Sequence, residues 1–234
     1  MITLQNVVKK YGPKRALDNV TLSIPRGKVI GLVGENGSGK STLLKAIAGL
    51  SSIHAGTAFF EGEPITRKIA SRLAYMSDAD LFFPYFTVRQ LMDFYDSQFE
   101  DFDLIKAKEL MSFLNVTLDA KMRNLSKGNR GRVKIAVTLA READIYLLDE
   151  PFSGLDPMVR EDIAKGLIRF TDPENQTVIL STHEIREVEP LLDDIIVMQG
   201  GRIIAHEAVD EIRDFYGIDA TSWMVSLFKQ PQVQ

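Results

Sequence analysis

Gly34-Glu-Asn-Gly-Ser-Gly-Lys-Ser-Thr42, GENGSGKST, packs three glycines, a lysine and three hydroxyls into nine residues. It fits the spacing G-x-x-x-x-G-K-[ST]. The run before it, KVIGLVG (28–34), is nearly all apolar and ends in glycine, so it reads as a buried strand. The run after it, STLLKAIAGL (41–50), has apolar residues at helical spacing and Gly49 to stop it. A strand, a glycine loop and a helix in that order make an anion cradle. The glycines let backbone N–H groups turn inward, and the helix aims its positive end, roughly half a charge, at the same place. Phosphate contacts are therefore expected from Asn36, Gly37, Ser38, Gly39, Lys40, Ser41 and Thr42. Lys40 is expected to reach the β- and γ-phosphates as a point charge, and Ser41 to offer its hydroxyl to Mg²⁺.

This is the P-loop of nucleoside triphosphatases, and by itself it does not say which use the nucleotide serves. An Asn-Lys-x-Asp guanine motif is missing, which disfavours a GTPase. ADIYLLDE (143–150) and TVILSTH (177–183) read as two more buried strands, and DIIVMQGGRIIA (194–205) as a hairpin turning at Gly200-Gly201. Helical patterns lie between them: Val88, Leu91, Met92, Tyr95; Ile105 to Leu114; Val133 to Arg141. Buried strands separated by helices predict an α/β fold, a P-loop NTPase with a mostly parallel core sheet. The first ~25 residues and 55–66 read as antiparallel β additions on the N-terminal side. Residues 85–140 show no convincing strand and read as a helical lobe.

The composition agrees with a globular enzyme. The 234 residues are 45% hydrophobic and 26% charged, enough for one domain with a lobe. The absence of cysteine excludes a disulfide framework and a thiol-rich metal site, and makes a reducing cytosol the simplest setting. The opening MITLQNVVKKYG alternates like a strand and lacks the apolar core of a signal peptide. No apolar run approaches the ~18 residues of a membrane span. A net charge of -4 argues against a nucleic-acid partner. The basic run Lys121, Arg123, Lys127, Arg130, Arg132 and Lys134 reads as a solvated helix face, with some positive potential to spare for a triphosphate.

IYLLDEP (145–151) places Asp149 and Glu150 at the C-terminal end of a buried strand, the edge at which open α/β sheets hold ligands. Asp149 suits Mg²⁺, since hard cations want carboxylate oxygen. Glu150, one residue on, points elsewhere and suits a general base for water attacking the γ-phosphate. The plainer alternative is a solvated acidic pair capping a strand.

With these residues in view, the chain resembles the nucleotide-binding subunits of ABC (ATP-binding cassette) transporters from about residue 2 to 210. GENGSGKST looks like Walker A, IYLLDEP like Walker B, LSKGN (125–129) like the signature, SGLD (153–156) like the D-loop and His183 in LSTHE like the switch histidine. Tyr11 fits the aromatic that stacks on adenine. The resemblance implies one cassette domain over 1–234: a core with its β subdomain over 1–84 and 141–210, a signature lobe over 85–140, and a helical tail over 208–234. It implies two such domains head to tail, as a homodimer or with a different second cassette. Each ATP then lies between one P-loop and the other subunit's Ser126 and Gly128, with Asp156 reaching across. His183 holds the γ-phosphate. It implies an integral membrane subunit as partner and a place at the cytoplasmic face of the membrane. The rival reading is a soluble ABC ATPase of DNA repair or translation, but the coiled-coil insertion or tandem cassette usual there is missing.

Three departures stand out. The family's glutamine in Tyr-x-x-Gln is Asp78 here, which still offers oxygen to Mg²⁺ but brings a negative charge toward the phosphates. In the signature, Lys127 replaces glycine and Asn129 replaces glutamine, a pattern similar to exporters of the ABC-2 type that move drugs and antimicrobial peptides; projection of Lys127 into solvent is the bland alternative. Phe82, Phe83, Tyr85 and Phe86 read as an exposed socket for the membrane subunit, while Phe94 and Tyr95 read as packing within the lobe. The tail, with Val209, Ile212, Phe215, Tyr216, Trp223, Met224, Leu227 and Phe228, reads as a helix on the protein's own surface.

Overall fold

The run KVIGLVG becomes β3 (Val29–Val33), and the architecture is arranged around it. In the computed structural model, which describes residues 1–79 and 83–229, β3 lies inside a six-stranded sheet. Its neighbours are β8 (Thr177–Thr182) and β9 (Asp194–Gln199), both parallel to it. Beyond β8 come β7 (Ile145–Leu148) and β6 (Leu73–Met76), also parallel; beyond β9 comes β10 (Arg202–Ala208), antiparallel. A second sheet is antiparallel throughout, in the order β2 (Lys14–Ile24), β1 (Ile2–Tyr11), β4 (Ala55–Phe60), β5 (Glu63–Pro64).

Period-two alternation divides the strands of the mixed sheet between two cores. Ile30, Leu32, Ile145, Leu147, Ile179 and Ile196 face one side. There they meet α1 (Lys40–Ile47) and the apolar face of the antiparallel sheet. Tyr146, Leu148, Val178, Leu180, Ile195 and Val197 face the other. That side is covered by α2 (Val88–Gln98), α3 (Leu104–Phe113), α4 (Lys127–Leu139) and α5 (Pro157–Phe170). The expected α/β architecture, with antiparallel additions and a helix-rich stretch between β6 and β7, is the one found.

Two expectations are corrected. The tail forms two helices, α6 (Val209–Tyr216) and α7 (Ala220–Lys229), because Gly217 adopts φ 64° and closes the first. Nor does the tail simply lie on the surface: Trp223 is 2% exposed and joins the same core as Val209 and Ile212, whereas Phe215 is 89% exposed. The basic run is a solvated face only in part, with Lys121, Arg123 and Lys127 exposed. Arg132 pairs with Asp162, Arg130 donates to the Leu125 carbonyl, Lys134 to the Asp78 carbonyl, and Arg123 stacks over Tyr85. The aromatics after Asp78 divide as expected in part. Phe83 and Tyr85 are exposed, Phe86 and Tyr95 pack against the lobe, and Phe94 lies edge-on to Phe83 and Phe86; Phe82 lies outside the described residues.

Candidate active site

The loop between β3 and α1 is held from behind by its neighbours. Gly201 N donates to the Ser38 carbonyl at 2.9 Å, and Asp18 N donates to the Gly201 carbonyl at 2.9 Å. The Asp18 carboxylate takes Arg15 and Arg202, which hold it below the usual carboxylate range, Arg15 by the larger effect. Gly39 enters α1 at φ 114°, and a Cβ there would run into the Ala16 carbonyl at 2.5 Å, so no other residue fits this approach.

In front of the loop is a cavity of about 300 Å³ lined by Tyr11, Lys14, Asn36, Lys40, Asp78 and Glu150, with Gly37, Gly39, Ser41 and Thr42 forming the rest of the P-loop wall. The residues fit a polyphosphate. The first amides of α1 have no partner inside the helix. The Ser38 hydroxyl is buried and has no hydrogen-bond partner among the described residues. Tyr11 stands at the rim, 53% exposed, with the Lys9 ammonium 5.2 Å from its ring centre.

Lys40 is 5% exposed and folds back on its own loop, donating to the carbonyls of Gly34 at 2.7 Å and Glu35 at 3.3 Å. Its Nζ is also 3.3 Å from Glu150 Oε1. The adjacent acids diverge. Asp149, 2% exposed, turns inward, and its Oδ1 accepts Ser41 Oγ at 2.9 Å and Ser181 Oγ at 2.8 Å. Its Oδ2 accepts Tyr75 Oη at 3.1 Å. Glu150 adopts φ 51°, left-handed and uncommon for a residue with a Cβ, and this swings its carboxylate toward the cavity. Its Oε2 lies 2.9 Å from His183 Nδ1; a carboxylate only accepts, so Nδ1 carries the hydrogen. Ser181 joins the two acids, accepting from Glu150 N at 2.9 Å while donating to Asp149.

Ser41 and Asp149 thus form a hydroxyl–carboxylate pair of the kind that would suit Mg²⁺. No group of three or more His, Asp or Glu among the described residues forms a cage for a metal on its own.

The structure brings Tyr11, the loop, Asp78, Asp149, Glu150 and His183 together, but not the remaining candidates. The cavity wall includes none of Ser126, Gly128 or Asp156. These three form a second group. Ser126 caps α4, accepting from Asn129 N at 3.2 Å, and Asp156 caps α5, accepting from Val159 N at 3.0 Å. A Cβ on Gly128 would lie 3.7 Å from Asp156 Oδ2. Lys127 is exposed, and its ammonium lies beside Gly154. The hydroxyls of Tyr75 and Ser181 were not foreseen. A serine in the otherwise apolar run VILST was the one available signal for Ser181.

A family model described as ABC transporter matches residues 17–153. Among curated relatives, the probable sulfate/thiosulfate import ATP-binding protein CysA of Chlorella vulgaris is 33% identical over 91% of this chain and 93% of its own length. The Nod factor export ATP-binding protein I of Burkholderia orbicola is 34% identical over 88% of this chain and 70% of its own. Among solved structures, an ATP-binding subunit of an ABC transporter superposes with a TM-score of 0.86 over 98% of this chain and all of its own, at 23% identity. The dimeric bacterial cassette MJ0796 reaches 0.80 at 26% identity over 89% of this chain and 98% of its own.

Proposed function

This chain belongs to the ABC transporter family of ATP-binding subunits, and from that premise we propose how its residues divide the work. The family's reaction is ATP hydrolysis coupled to transport, with ATP and Mg²⁺ as its ligands. Tyr11 stacks on adenine. The P-loop amides and Lys40 bind the phosphates, Lys40 leaving the Gly34 carbonyl to do so. Ser41 and Asp149 hold Mg²⁺, with Asp78 facing the same space. Bound there, the ion would neutralise charge on the phosphate oxygens. Glu150 takes a proton from the attacking water; the bond from the γ-phosphorus to the bridging oxygen breaks, and ADP and phosphate leave. His183, hydrogen-bonded to Glu150, holds that carboxylate in place and meets the γ-phosphate.

The observation that carries the reading is the pairing of a phosphate cradle with an acid aimed into it, Glu150 beside Lys40 and His183. The second group, Ser126, Gly128 and Asp156, serves the nucleotide of a facing cassette, identical or paired. The division into core, lobe and tail (1–84 with 141–210, 85–140, 208–234) is part of the same proposal. No helix among the described residues is long and apolar enough to cross a membrane. A separate integral membrane subunit supplies the pathway, docks on the exposed Phe83 and Tyr85, and places the cassette at the cytoplasmic face.

Glu150→Gln keeps size and hydrogen bonding but removes the base. It is expected to retain ATP affinity and to lose about 10²- to 10⁴-fold in turnover, read as phosphate release; turnover near the parent's overturns the assignment. The direction proposed is export, supported by Lys127 in LSKGN and by the likeness to the Nod factor exporter. The likeness to sulfate/thiosulfate import proteins favours the opposite direction. Inside-out vesicles carrying the cassette with its membrane subunit decide it: ATP added outside drives cargo into them for an exporter and out of them for an importer.

A further inference from the structure

The Tyr75 hydroxyl is used by no step above, yet it touches the most enclosed acid of the site. Tyr75 is in register with Leu147 of the neighbouring strand, two residues before Asp149. Its hydroxyl donates to Asp149 Oδ2 at 3.1 Å, on the oxygen that the two serines leave open. The exposed Asp78, three residues on, has its backbone carbonyl taken by Lys134 of the lobe. From the β6 segment, the Tyr75 hydroxyl reaches the buried carboxylate. The same side chain lines a cavity of about 540 Å³ between α1 and the lobe, with Lys45, Tyr95 and Lys134 on its far walls.

We propose that Tyr75 is a positioning residue for Asp149: its hydroxyl fixes the carboxylate that holds Mg²⁺, and ties that carboxylate to the groove between core and lobe. The inference rests on the reading of Ser41 and Asp149 as the metal-holding pair. A carboxylate with hydroxyl donors on both oxygens is fixed in rotation, and losing one such outer partner weakens a metal site without altering its ligands.

Tyr75→Phe removes only the hydroxyl and keeps the ring. Tyr95→Phe, on the opposite wall of the same groove, is the control. With the full chain and a non-hydrolysable ATP analogue, Mn²⁺ affinity is read by electron paramagnetic resonance. Nucleotide affinity is read separately in EDTA. Tyr75→Phe is expected to weaken Mn²⁺ by about 10- to 100-fold, the usual effect of an outer-shell loss, while nucleotide affinity in EDTA stays at the parent value. Tyr95→Phe is expected to match the parent in both. Unchanged Mn²⁺ affinity in Tyr75→Phe overturns the proposal. So does an equal fall of nucleotide affinity in EDTA, which means a damaged loop, or an equal loss in Tyr95→Phe. A parent chain that binds nucleotide but gains nothing from Mn²⁺ removes the metal reading of Ser41 and Asp149, and this inference with it.

Discussion

Glu150 sits where three demands meet. Its backbone is left-handed at φ 51°, a conformation that costs a residue with a Cβ on the order of 1–3 kcal/mol. Its amide bonds to Ser181, and its carboxylate is shared between Lys40 and His183. The left-handed turn ends the extended run at Asp149 and goes with a carboxylate at the cavity, while that of Asp149 stays buried. The same crowding of charge bears on Asp78, which lines the cavity together with Glu150. A triphosphate entering there meets Lys40 but also these acids. Asp78→Asn keeps the size and removes one negative charge. It is expected to bind ATP in EDTA more tightly by up to about five-fold, the scale of one exposed charge pair, with the gain shrinking at high salt. Titration with a fluorescent ATP at two salt concentrations checks this; equal affinities for parent and variant at both would mean that Asp78 does not face the phosphates.

At the scale of elements, what was legible in the sequence follows from how each element is buried. β3, β7, β8 and β9 are covered on both faces, so they appear as short apolar runs, and all were read. The site motifs were readable for the same reason: they sit at the ends of those runs, and the run fixes the motif in space. β6 was missed as a strand. It is four residues long at the sheet edge, and its Tyr75, though packed against the core, points a hydroxyl at an acid. α5 was missed because its buried stripe, Val159, Ile163 and Leu167, is narrow and is blurred by the exposed Met158 and Ile168. The tail was read as one helix because Phe215 and Tyr216 keep helical spacing; only the fold shows that this pair leaves the core just before Gly217 ends the helix. The internal partners of the basic run were illegible for another reason. Asp162 and the Asp78 carbonyl reach it from other elements, and sequence spacing does not record them.

At the scale of the whole molecule, the two groups of residues proposed to share a nucleotide lie apart in one chain. The P-loop cavity is built by the β3–α1 loop and the strand edge, while Ser126, Gly128 and Asp156 cap α4 and α5 away from its wall. A cavity left open on the side of the terminal phosphate can be closed by the α4 end of a second copy, and two-fold symmetry then closes both sites at once. ATP in that arrangement is bound by two chains, so its stabilisation of the fold must depend on protein concentration as well as on nucleotide. Ligand at 100 times its dissociation constant adds about 2.7 kcal/mol, and in a chain of this length each kcal/mol raises Tm by about 2–4 °C. Glu150→Gln with saturating ATP and Mg²⁺ is therefore expected to melt about 5–10 °C higher than without nucleotide. Its Tm should climb further as the protein is concentrated, while the nucleotide-free chain melts at one temperature throughout. A nucleotide-dependent rise that ignores protein concentration would leave the P-loop assignment standing and remove the facing cassette, because a ligand held by one chain stabilises that chain equally at every dilution.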